Sequence, residues 1–264
     1  MQFIPDLPGP PLPGAVPLAP NDGLSSWVSR LGSRFYRWHL WMPLGAFVAA
    51  SLVLMVLHGD QWLADRLYAM EGHQWALQNA YITQDLLHAA GRQASKDAWF
   101  ALMPVLAISL LVPRMRQWRR PLVYLLLASL LSTAVVGLLK RWTDMDCPWD
   151  LLRYGGDKVY HGLLMHRPSG MGHGTCFPAG HASAGYGWIA LYFFFLATRP
   201  ALRWWGLGFA LAVGLVFGIT QQLRGAHFLS HDVWALMICW LTALLLYRLM
   251  LVRRASGRIR GVLA

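Results

Sequence analysis

Leu122-Val-Tyr-Leu-Leu-Leu-Ala-Ser-Leu-Leu-Ser-Thr-Ala-Val-Val-Gly-Leu-Leu139, followed at once by Lys140, is the stretch that decides the fold. It holds no charge over a length that, as a helix, nearly crosses a hydrocarbon core of about 30 Å. Five further runs resemble it: Trp41–Leu57, Ala98–Val112, Ala182–Thr198, Trp204–Ile219 and Val233–Tyr247. None alternates polar and apolar residues as a barrel strand would, so backbone satisfaction in lipid calls for helices. The reading is an all-α polytopic membrane protein, six transmembrane helices in a bundle.

Composition agrees. Of 264 residues, 56% are hydrophobic and only 13% charged, which is too apolar for an ordinary soluble domain. Several of the 14 tryptophans flank the runs, as interfacial residues do. The formal net charge of +11 sits mostly in short segments between runs, so topology and anionic headgroups explain it better than nucleic acid. Arg30, Arg34 and Arg37 precede the first run; Arg114, Arg116, Arg119 and Arg120 separate the second and third. Arg199 and Arg203 separate the fourth and fifth, and Arg248, Arg253, Arg254, Arg258 and Arg260 end or follow the sixth. All four segments fall on one side, which predicts both termini in the cytoplasm.

The expected organisation has three parts. Residues 1–37 form a Pro-rich disordered tail, with a short interfacial helix near Leu24–Tyr36 and no cleavable signal peptide. Residues 38–252 form the six-helix domain, with an outer-surface loop carrying an amphipathic helix at 61–97 and an outer loop at 140–181. Residues 253–264 are a basic cytoplasmic tail.

This topology brings Lys140, His181, Arg224, His227, His231 and Asp232 to the outer ends of four different spans. Lys140, and Arg141 beside it, read alone as snorkelling cations. Pro178-Ala179-Gly180-His181 reads alone equally as a helix-capping loop or as a helix start whose free N–H groups attract an anion, with His181 placed to protonate a leaving oxygen. In Arg224-Gly-Ala-His227-Phe-Leu-Ser-His231-Asp232, polar groups are too dense against an apolar span for that bland reading. A guanidinium matches phosphate oxygens, an imidazole can attack phosphorus, and a carboxylate can fix its tautomer. A zinc site on His227 and His231, completed by His181 or Asp232, ranks behind, since the metalloprotease pattern lacks its glutamate.

With these residues in place, the chain resembles the type 2 phosphatidic acid phosphatase superfamily, in its membrane lipid phosphatase branch. That family carries Lys-x6-Arg-Pro, Pro-Ser-Gly-His and Ser-Arg-x5-His-x3-Asp. Here Lys140 leads to Cys147-Pro148, then come Pro178-Ala179-Gly180-His181 and the Arg224–Asp232 block. The resemblance covers roughly 122–247. Cys147 replaces an arginine, for which Arg141, Arg153 and Arg167 are candidate substitutes, and Ala179 replaces a serine. In the third block, aligning His227 as the nucleophile puts Gln221 at the arginine position and His231 at the aspartate position, with Asp232 one residue beyond. The other alignment makes His231 the attacking group.

The resemblance implies a metal-independent, cofactor-free phosphatase. A phosphohistidine forms on His227, His181 protonates the leaving oxygen, and His231 and Asp232 complete the catalytic set. Lys140, Arg224, Ala179, Gly180 and Arg141 are the implied phosphate-binding positions. The implied substrate is a lipid phosphate or diphosphate in the outer leaflet of a bacterial inner membrane, with the site facing the periplasm. A lipid phosphotransferase or a non-enzymatic phosphate-binding or transport protein is the alternative. Cys147 and Cys176 share the outer loop, where a disulfide persists, and are expected to pair.

Overall fold

The computed structural model describes residues 33–163, 165, 170 and 172–252. The expected Pro-rich tail, most of the interfacial segment, Arg167 and the basic C-terminal tail lie outside these residues. The chain divides into two units, residues 1–41 and 42–264. In the first, the described residues are helical, and His39 stacks on Phe35 one turn earlier (ring centroids 4.1 Å apart).

Seven helical stretches are labelled here: α1 (Ser33–Val56), α2 (Gly59–Met70), α3 (Ile82–Leu111), α4 (Pro113–Trp142), α5 (residues 180–198), α6 (Pro200–Leu223) and α7 (Leu229–Val252). No named strand occurs among the described residues. Five of the seven, all except α2 and α5, are long and apolar enough to cross a membrane. The expected count is six. The missing one is α5, which is helical throughout but broken by a 3₁₀ turn at Gly187–Ile189 into Gly180–Tyr186 and Ala190–Thr198.

That break has a packing cause. α5 crosses α6 with almost no separation, and a Cβ on Gly185 would come within 2.5 Å of the Gly214 backbone. Gly187, where the 3₁₀ turn begins, lies against the Ser129 carbonyl of α4. The stretch is squeezed between α4, α6 and α7. It is also the most buried part of the bundle, with Ile189, Ala190 and Phe193 fully enclosed.

Several polar groups in the bundle are tied to backbone, which offsets the cost of burial in an apolar medium. Tyr124 donates to the Ala243 carbonyl at 3.1 Å, joining α4 to α7. Arg119 donates from Nε to the Ser109 carbonyl at 2.6 Å and from Nη2 to Leu110 at 2.8 Å. Those are the last carbonyls of α3, which otherwise have no intrahelical partner. The outer faces stay apolar: Leu52, Phe100, Leu111, Phe209 and Ile219 are all exposed, a larger apolar surface than a soluble protein tolerates.

The segment at 61–97, expected as an outer-surface loop carrying an amphipathic helix, is mostly helical. α2 takes its first part. Residues 82–97 are the first turns of α3, so the second span's helix begins at Ile82, well before the apolar run. α2 packs on α6 and α7, and its Asp60 accepts the Ser230 backbone N–H at 2.8 Å. The carboxylate thereby caps the free N–H groups that open α7.

The loop between α4 and α5 is held by its own polar bonds. Asp144 accepts the Gly174 N–H at 2.6 Å, and the Cys176 N–H meets the Met145 carbonyl at 2.9 Å. Buried Asp146 pairs with Lys158 at 2.8 Å. The Cys147–Cys176 disulfide is formed, with Cα atoms 5.2 Å apart. Trp149 N–H donates to the Gly225 carbonyl at 2.9 Å, which fastens this loop to the turn between α6 and α7.

Candidate active site

A cavity of about 990 Å³ opens among α3, α4, α5 and the α6–α7 turn, beneath the disulfide loop. Lys140, Gly180, His181, Arg224 and His227 all line it. Residues from three separate stretches of sequence therefore share one chamber.

Lys140 ends α4 and is partly buried. A Cβ on Gly180 would stand 3.6 Å from its Nζ, so the ammonium lies over the bare backbone that starts α5. His181, in the next position, is nearly enclosed. Its ring stacks on Phe217 of α6 (centroids 4.4 Å) and meets His88 of α3 edge-on (4.6 Å).

Arg224 is fixed by three neutral acceptors. Its Nε donates to the Gln78 carbonyl at 2.8 Å, its Nη1 to Gln221 Oε1 at 3.1 Å, and its Nη2 to Gln84 Oε1. No carboxylate of the described residues pairs with it, so its charge is oriented but not neutralised. Burial lowers its affinity for its proton, though a guanidinium stays charged.

The turn that carries Arg224 to His227 depends on Gly225. Its φ is +69°, and a Cβ there would sit 2.4 Å from the Trp75 ring. His227 follows, buried, with Nδ1 3.3 Å from Nδ1 of His231. Two ring nitrogens at that distance share a hydrogen bond when only one of them bears the proton. Burial above all, with Lys140 and His231 adding to it, holds the His227 pKa well below 6.5. The ring is thus neutral at pH 7 and keeps a lone pair. His231 is fully enclosed, against Phe177 and Phe228.

Other expected positions lie elsewhere. Asp232 turns toward α6, accepting from Gln222 Nε2 at 2.6 Å, in a space open only because residue 218 is glycine. It makes no bond to His227, whose ring meets His231 and the Cys176 backbone. Arg141 is exposed and outside the cavity lining. Arg153 is paired with Asp65, Nε to Oδ1 at 2.7 Å, which holds that carboxyl below its ordinary value. Ala179 is enclosed, and its N–H is spent on the His231 carbonyl at 3.1 Å.

Sequence reading missed a whole wall. Gln84, His88, Arg92, Lys96 and Trp99 of α3 line the cavity. They recur nearly every four residues, which puts them on one helix face. That spacing was visible in Gln84-x3-His88-x3-Arg92-x3-Lys96. One group among the described residues has ligand atoms close enough to share a metal ion: Cys147, Asp150 and Cys176. Its two sulfurs are already bonded to each other, so the donor set does not fit a metal.

Fold and site define a class, a helical membrane-type protein with a basic, histidine-lined cavity at one end of its helices. Within that class the chain belongs to the PAP2 superfamily, whose sequence model matches residues 121–255, from α4 through α7. Members of that superfamily are phosphatases, which supports a phosphoric ester hydrolase. Comparison with curated proteins and with solved structures gives no match.

Proposed function

We propose that the protein is a metal-independent phosphatase of membrane lipid phosphates or diphosphates, acting through a phosphohistidine at the outer face of a bacterial inner membrane. The observation that carries this reading is the single chamber in which His227, His181, Lys140 and Arg224 meet. Neutral His227 has the lone pair a nucleophile needs. In this reading its Nδ1–H donates to His231 Nδ1, which puts the lone pair on Nε2, the attacking atom.

The Nε2 lone pair forms an N–P bond. The bond from phosphorus to the lipid oxygen breaks, and its electron pair leaves on that oxygen, which His181 protonates. Water then attacks the phosphohistidine and gives up a proton to His181. The N–P pair returns to His227 and inorganic phosphate departs. Lys140 and Arg224 stabilise the equatorial oxygens as charge builds.

The test is phosphate release from a panel of lipid phosphates in detergent with excess EDTA. Release should survive the chelator. It should fall at least about 10³-fold in His227→Ala and be strongly reduced in His181→Ala. Loss on chelation would replace this reading with a metal hydrolase. Phosphate transfer only in the presence of an added lipid acceptor would make the protein a phosphotransferase.

A further inference from the structure

The cavity wall supplied by α3 has no place in the mechanism above, and α3 lies outside the stretch matched to the superfamily. It carries Arg92 and Lys96 into the same chamber as Lys140 and Arg224. Four cations thus line one cavity, and no Asp or Glu lines it. None of the four has a carboxylate partner among the described residues. Asp97, close to both on α3, is outside the lining and is bonded by Gln93 at 2.8 Å. One phosphate monoester carries about two negative charges at neutral pH. Lys140 and Arg224 already match it, leaving two cations over.

Their position along α3 is informative. His88 meets His181, and Arg92 follows one turn deeper, roughly 6 Å along the axis. Arg92 is close enough to Lys140 and His181 for their charges to interact. Ser95, just below, donates to the Ala184 carbonyl at 2.8 Å, which fixes the register of α3 against α5. Past it the lining is mainly apolar, with Trp99, Phe100, Leu130 and Ala134 beside Ser129 and Thr133, whose hydroxyls are bonded to the backbone of their own helix. Going inward, the chamber therefore runs from nucleophile to cation pair to hydrocarbon surface.

We infer that Arg92 and Lys96 form a second phosphate subsite, and that the substrate is a lipid diphosphate held between it and Lys140 and Arg224. Resting on the phosphatase reading, this names its substrate class. The terminal phosphorus faces His227. The inner phosphate, which bears the lipid chain, lies at Arg92 and Lys96, and the chain runs along Trp99 and Leu130. On attack the bridging P–O bond breaks, and its electron pair leaves on the inner phosphate. The leaving group is then a lipid monophosphate, and Arg92 and Lys96 stabilise the charge it gains.

Two measurements test the subsite. The first compares a lipid diphosphate with the monophosphate of the same chain in detergent. Arg92→Ala with Lys96→Ala should lower kcat/KM roughly 10- to 100-fold on the diphosphate and less than about threefold on the monophosphate, with Arg92→Lys in between. Equal losses on both substrates, or none, overturn the subsite. The second needs no turnover: methylenediphosphonate should bind wild type about tenfold or more tightly than inorganic phosphate, and the double variant should lose that preference. Equal binding of the two anions to wild type also overturns it. Should no lipid be hydrolysed while the diphosphonate preference persists, the phosphatase reading falls and the second anion subsite stands.

Discussion

His227 touches His231 through nitrogen where its family's pattern puts a carboxylate, and that exchange has consequences for pH. An imidazole partner brings no negative charge to stabilise a protonated His227, so burial wins and the ring stays neutral. In the unfolded chain the same ring titrates near 6.5. Below that pH the unfolded state binds the proton and the folded state does not, so stability falls as pH drops from about 6.5 toward the depressed folded value. We expect the Tm of wild type to decline over that window and that of His227→Asn to decline less; parallel curves would refute the assignment. His231→Ala should cost roughly 10²-fold or more in turnover with little change in KM, by releasing the nucleophile's ring. Unchanged turnover would show that His231 only packs. These two histidines were legible from their four-residue spacing, as was Arg224 beside them. The partner of each was not. Asp232 is next to His231 in sequence, but one residue along a helix rotates a side chain by about 100°, which carries it to α6 and Gln222.

At the scale of elements, the site depends on two joints that hydrophobic periodicity does not reveal. One is the Gly225 turn. Alanine there would combine a left-handed backbone penalty with a collision against Trp75, costing about 2 kcal/mol or more, and Arg224 would lose its geometry with it. Stability of Gly225→Ala by denaturation, read together with its activity, checks this; a variant as stable as wild type sinks the argument. The other is Asp60. Its burial raises its pKa, yet its carboxylate still caps α7 through Ser230. Asp60→Ala should cost about 1 to 3 kcal/mol, whereas Asp60→Asn keeps an acceptor and removes a buried charge, so it should cost much less. Similar losses for both would mean that the charge itself matters. The apolar runs predicted the spans because their signal is local. An amphipathic helix within 61–97 was legible, but its continuity with the second span was not, because the first turns of α3 are polar on the cavity side and a hydropathy window ends the span where that polarity begins. The break in α5 comes from contact with Gly214 and Ser129, which no local pattern encodes.

For the whole molecule the decisive quantity is which end of the bundle faces out. The cavity, the disulfide loop and the caps of α5 and α7 all sit at one end of the helices. The arginines at 114, 116, 119, 120, 199 and 203 sit at the other, in the first turns of α4 and α6 and the join before α6. Positive charge at such helix joins favours the cytoplasm, so we expect the chamber to face outside. A disulfide persists there, and across about 29 residues it should stabilise by about 3 to 4 kcal/mol, lost in Cys147→Ser with Cys176→Ser. Orientation is checked by placing one exposed cysteine at each end in that cysteine-free loop background, at Asp157 or at Gln117, and adding a membrane-impermeant thiol reagent to intact cells. Asp157→Cys should label at once, and Gln117→Cys only after permeabilisation. The reverse pattern would place the chamber in the cytoplasm. The lipid phosphate would then have to come from the inner leaflet, while the four cations and the histidine pair would keep their chemistry, because that depends on their mutual placement and not on the side they face.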